Sequence, residues 1–153
     1  MIGTDMTSRA RNGNDTETLE RIASKSPDEF TPAELAQVRR NLVAREAFIA
    51  EFGSQQNLDP QTAAMFEAEG RVFSVDYRQA KVYPSFQFHE FYPLPAVARA
   101  LSILRELRSP WEIALWFTGN NGWLGGARPV DLLADRPDEV IIAAQREAEH
   151  RVF

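Results

Sequence analysis

The sequence predicts a mainly helical α+β fold, with N-terminal helices, one β-hairpin and a compact C-terminal helical module. Three observations predict it. Proline sits directly after a capping residue at Thr31-Pro32, Asp59-Pro60 and Ser109-Pro110, the order that opens helices. β-Branched and aromatic residues form two alternating runs within residues 72–88 only, the pattern of a half-buried hairpin. Finally, residues 109–133, SPWEIALWFTGNNGWLGGARPVDLL, hold a capped helix, an Asn-Gly turn, a Gly-Gly bend and a second helix start in one short stretch.

The 153 residues, 44% of them hydrophobic, suffice for one compact domain or two small ones sharing a core. The chain contains no cysteine, which removes disulfides, thiolate catalysis and Cys-based zinc sites and suits a reducing cytosol. No apolar run approaches the roughly 20 residues that span a bilayer. The opening MIGTDMTSRARNGND lacks the hydrophobic region of a signal peptide. The expectation is a cytoplasmic protein with no membrane partner. Its formal charge of −5 argues against a surface basic all over. The charge is uneven, because Arg71, Arg78, Lys81, Arg99, Arg105 and Arg108 give a modestly basic middle between acidic flanks.

Taken in order, residues 1–15 are polar and lack an apolar period, so they are expected to be a disordered tail. Residues 16–93 are expected to form a helical region with the hairpin, beginning with a short helix over 16–24 that carries Leu19 and Ile22. Thr31-Pro32-Ala33-Glu34 combines cap, first-turn proline and reciprocal glutamate, which predicts a helix over 31–52. Leu35, Val38, Leu42, Ala44 or Arg45, Ile49 and Phe52 form its stripe, serving as core or as the seam of a homodimer. Asp59-Pro60 opens a second helix ending at Gly70, and the two helices make either a helix-turn-helix or a plain helical hairpin.

The hairpin follows, with strands 72–77 and 81–88 about a turn at 78–80. Pro84 makes the second strand an edge or ends it. A helix pair followed by a hairpin with basic residues at its tip is the layout of a winged DNA-binding module. In that reading Arg71, Arg78 and Lys81 are the DNA-contacting cations, meeting phosphates without reading sequence. The preceding helix, with two acids and no base, is poorly suited to a major groove.

Residues 94–153 are expected to form the helical module. Val97, Leu101 and Leu104 give a helical face over 94–107. Ser109, Pro110 and Glu112 form a capping box, and Trp111, Leu115 and either Trp116 or Phe117 supply the apolar face. Gly119-Asn120-Asn121-Gly122 is expected to stop this helix in left-handed conformations, and Gly125-Gly126 to make a bend too tight for a Cβ. Arg136-Pro137-Asp138 opens the last helix.

This module resembles the toxin-binding domain of the Xre/MbcA/ParS antitoxins, over about a third of the chain. The resemblance rests on Trp111, Asn121, Leu124, Gly125, Gly126, Arg128, Pro129, Leu132 and Leu133. It implies a bacterial antitoxin that binds and neutralises a cognate toxin, commonly an NAD-consuming RES-type enzyme, often with transcriptional autoregulation. It also implies a C-terminal end that approaches the toxin's active site. Here that end reads His150-Arg151-Val152-Phe153, with Arg151 where the family has Gly. The alternative is a DNA-binding transcriptional regulator without a toxin partner.

Catalysis has little footing in the residues. His89 and His150 are the only histidines, and there is no HExxH, nucleophile elbow or phosphate-binding loop. No cofactor, metal or catalytic residue is expected. Trp116, Phe117 and Trp123 cannot share one buried face of so short an element, and interfaces favour Trp and Arg as anchors. The expected partner-binding residues are therefore Trp116, Trp123 and Arg128, joined by Asn121, Leu124, His150 and Phe153 through the resemblance.

Overall fold

A computed structural model describes residues 29–54 and 58–152. The expectations for residues 1–24 and for Phe153 lie outside the described residues. The described chain is a mainly helical α+β fold, and each of its six α-helices begins with proline. They are α1 (Pro32–Phe52), α2 (Pro60–Ala68), α3 (Pro95–Leu104), α4 (Pro110–Thr118), α5 (Pro129–Leu132) and α6 (Pro137–Val152). Proline at this position fixes φ where no helical N–H is needed, and its ring steers the preceding residue into extended backbone. Thr31, Asp59, Leu94, Ser109 and Arg128 all take that conformation. Both expected capping boxes form, at Thr31 with Glu34 and at Ser109 with Glu112.

The β structure is smaller than the sequence suggests and split in two. Strand β1 (Val75–Tyr77) pairs antiparallel with β2 (Ala80–Val82), leaving Arg78-Gln79 as a two-residue turn. Both turn residues have positive φ, 49° and 64°, the backbone of the tight hairpin turn usually given to Asn-Gly. The strand expected to run to residue 88 ends at Val82. Pro84 cannot donate to a ladder, and the chain turns into a 3₁₀ turn at Ser85–Gln87. A second short ladder follows, β3 (Phe88–His89) with β4 (Tyr92–Pro93).

The main core lies between α3, α4 and α6, closed by α1 and β1. Val97, Leu101 and Leu104 meet Trp111, Ile113, Phe117, Val140 and Ala144 there, together with Phe48, Phe73 and Val75. Residues before and after position 94 thus share one core. A satellite cluster holds Ala63, Phe66, Val72 and Tyr83. It joins α2 to the hairpin through Glu67, which accepts hydrogen bonds from Ser74 Oγ and Tyr83 Oη at 2.7 and 2.8 Å.

Helix α1 departs from its expected stripe. Its buried residue is Phe48, flanked by the partly buried Ile49 and Phe52, whereas Leu42 is 56% exposed. Among the described residues, the last two turns of α1 dock on the main core, with Arg45 lying over the Trp111 ring at 4.9 Å. Among the described residues, the principal helix partner of α1 is α4, not α2.

Candidate partner-binding site

Helix α4 ends at Gly119, whose φ of −91° and ψ of 156° are extended rather than left-handed. Two asparagines then organise the loop. Asn121 Oδ1 accepts from the Trp123 N–H at 2.9 Å, and its backbone carbonyl accepts from Leu124 and Gly126. Its own N–H donates to Ala127, while Asn120 Nδ2 donates to the Gly126 carbonyl at 2.7 Å. Left-handed backbone occurs at Gly125 and Gly126, with φ of 66° and 92°. A Cβ built on either would meet nothing within 4 Å. The glycines serve backbone conformation, not a close approach.

This loop drives Leu124 toward the core and Trp123 out of it. Leu124 packs against the main cluster, whereas Trp123 is 51% exposed. The 3₁₀ turn carrying it, Gly122–Leu124, rests on α6. There the Trp123 ring meets His150 at 6.3 Å between centroids, and the Arg146 guanidinium lies 5.9 Å from the ring. Residues 142, 146 and 150 recur at helical spacing along α6, and Ile142 is 49% exposed. Together they present a half-exposed indole, an aliphatic side chain, a cation and an imidazole.

Beside Trp123 opens a cleft of about 360 Å³, lined in part by Arg108, Glu112, Trp116, Asn121 and Glu147. Arg108 and Glu147 make a short, largely buried ion pair across it. The structure therefore brings together Trp116, Asn121, Trp123 and His150 of the expected set, with Leu124 beneath them. Trp116 is buried against Phe117, so Trp123 is the exposed member of the three aromatics.

Arg128 lies elsewhere, lining a second cleft of about 320 Å³ with Glu51, Phe52, Phe86 and His89. Its guanidinium donates to both carboxylate oxygens of Glu51 at 3.1 and 3.0 Å, and to both of Asp131 at 2.9 and 3.0 Å. The hydrogen bonds to Asp131 and Glu51 raise the Arg128 pKa, and Arg128 in turn holds the Asp131 carboxyl below its ordinary range. Such a fork is an internal clamp between α1 and α5.

The cations of the DNA-binding expectation each face a carboxylate. Arg71 pairs with Glu69 and covers the Phe66 ring. It also donates its backbone N–H to Phe66, closing the Schellman turn at Gly70. Arg78 faces Glu46 at 3.5 Å, and Lys81 faces Glu67 at 3.5 Å.

Sequence reasoning missed Arg108, Glu147, Arg146 and Ile142. The spacing of 142, 146 and 150 carried a signal, whereas the Arg108–Glu147 pair, 39 positions apart, carried none. Among the described residues no helix is long and apolar enough to cross a membrane, and no cluster of His, Asp and Glu could hold a metal ion. Compared with known proteins, the chain matches no family, no curated sequence and no solved structure.

Proposed function

We propose that this chain is a protein-binding module of the antitoxin kind, which docks on a cognate toxin through Trp123 and the adjoining face of α6 and blocks it. The observation that carries the reading is the half-exposed Trp123, held on an ordered loop between Arg146 and His150. A large aromatic kept at the surface by a hydrogen-bonded loop is set in place before binding, so little conformational freedom is lost on docking. The resemblance to Xre/MbcA/ParS toxin-binding domains supplies the partner class, a toxin that includes NAD-consuming RES-type enzymes among its kinds. The DNA-binding alternative has less support, because Arg71, Arg78 and Lys81 already face carboxylates and bring little free positive charge to a phosphate backbone.

The test is copurification from the native host followed by co-expression with the recovered partner. A stoichiometric enzyme, toxic alone and relieved by this chain, is the expected result. Trp123→Ala is expected to weaken the complex by about 2 kcal/mol or more, roughly 30-fold in Kd, with the melting temperature of the free chain little changed. DNA recovered without a protein, or unchanged affinity of the variant, would overturn the reading.

A further inference from the structure

Resting on the partner-binding reading, we infer that the cleft between α4 and α6 is a binding site for a neutral hydrogen-bond acceptor, the carbonyl of an amide presented by the partner. Among the described residues, two buried side-chain polar atoms lack a hydrogen-bond partner, Arg108 Nε and Trp116 Nε1. Both residues line this one cleft. Each nitrogen carries a proton and can only donate, so whatever completes the site accepts. An unsatisfied buried donor costs about 1–3 kcal/mol, and an acceptor that enters the cleft relieves each donor it reaches. Elsewhere in the lining, Glu112 Oε1 accepts from the Ser109 N–H, Glu147 Oε2 from Arg108 and Asn121 Oδ1 from the Trp123 N–H.

Charge selects the kind of acceptor. The lining holds one cation, Arg108, against two carboxylates, Glu112 and Glu147. Gly119 and Leu115 add the C-terminal end of α4, where the helix dipole is negative. An incoming carboxylate or phosphate is repelled there, whereas a neutral carbonyl is not. The volume of about 360 Å³ far exceeds the ~30 Å³ share of a single water. Trp123 gives the flat amide group an aromatic wall at the mouth. Neither nitrogen reaches solvent in the free chain, so the acceptor engages as the lining side chains part.

The experiment follows the indole N–H signals of the full chain by ¹⁵N-resolved NMR. Three tryptophans give three signals. Trp111, whose Nε1 donates to the Asp76 carbonyl at 2.9 Å, is the internal control, and Trp123→Phe removes the exposed one for assignment. Titration with N-methylacetamide, acetamide or sodium acetate is expected to move the Trp116 signal downfield and saturably with the amides. The movement should be several times that of Trp111, with little response to acetate. A larger response to N-methylacetamide assigns the site to a backbone carbonyl, and a larger response to acetamide assigns it to an Asn or Gln side chain. Arg108→Lys keeps a cation for Glu147 but removes the Nε–H, and is expected to weaken the amide response several-fold while Trp111 stays in place. A Trp116 signal that ignores both amides, or follows acetate as well, would overturn the inference. Because these readings use the chain alone, they fail or succeed independently of whether a toxin copurifies.

Discussion

Gln87 does the work of a missing strand. Its side-chain oxygen accepts from the Phe73 N–H at 2.7 Å, and its amide nitrogen donates to the carbonyls of Phe73 and Pro84 at 2.9 and 3.1 Å. One fully buried side chain thus satisfies both main-chain groups of a core residue. Gln87→Leu keeps the volume and strands those groups, so urea denaturation should show a loss of about 3 kcal/mol. Tyr83 gives a second test. Burial first, then the hydrogen bond to Glu67 and its negative charge, push this phenol up to about 12. A pKa raised in the folded state contributes stability that is complete below the unfolded value, about 10, and is lost as pH rises through about 12. Stability should therefore fall across that window, and Tyr83→Phe should remove most of the fall. Neither role could be read from the sequence. Gln87 stood as one more polar residue in a strand-like run, and Tyr83 as one more aromatic. Their partners lie 14 and 16 positions away.

Where the chemistry of an element is local, the sequence was legible. Thr31-Pro32, Asp59-Pro60 and Ser109-Pro110 each mark a helix start with atoms a few residues apart, and the structure has helices starting there. The stripe of α1 was legible only in part, for the opposite reason. Which face of a long amphipathic helix docks depends on where the rest of the core lies, and that placed Phe48 inward and Leu42 outward. The loop after α4 was half legible. Its glycines announced a bend, but the hydrogen bonds of Asn120 and Asn121 set which pair turns left-handed. Gly125→Ala tests this, since no atom opposes the added methyl and φ of 66° is the only penalty. A loss of about 1–2 kcal/mol is expected, read as a lower urea midpoint. Gly125→Asn should lose less, because Asn tolerates this conformation. The candidate site inherits the same division. Trp123 could be singled out from its neighbours in sequence, while the cleft beside it needed Glu147 of α6 to be brought against Arg108.

At the scale of the molecule, Arg128 ties the end of α1 to the C-terminal helices through Glu51 and Asp131. Arg128→Ala leaves two carboxylates facing each other without their cation, so a lower melting temperature is expected near neutral pH. The Asp131 pKa is lowered in the fold, so its contribution is present above the ordinary carboxylate range and is lost as pH falls through the folded value. The gap between variant and parent should close over that acidic interval. A protein-binding defect in Arg128→Ala would then be read against this loss of stability, whereas Trp123→Ala carries no such burden. The prolines that open all six described helices have a consequence for how the gene can change length. Each proline pins the first residue of its helix, so one codon inserted after it turns every later side chain of that helix by about 100° and carries buried faces such as that of Trp111 and Phe117 out of register. A codon inserted just ahead of the capping residue lengthens only the connection, at a loop-closure cost that grows slowly with length. Single-residue insertions are therefore expected to be tolerated in the joints between helices and to lower the melting temperature when placed within them, so that each helix behaves as an indivisible word.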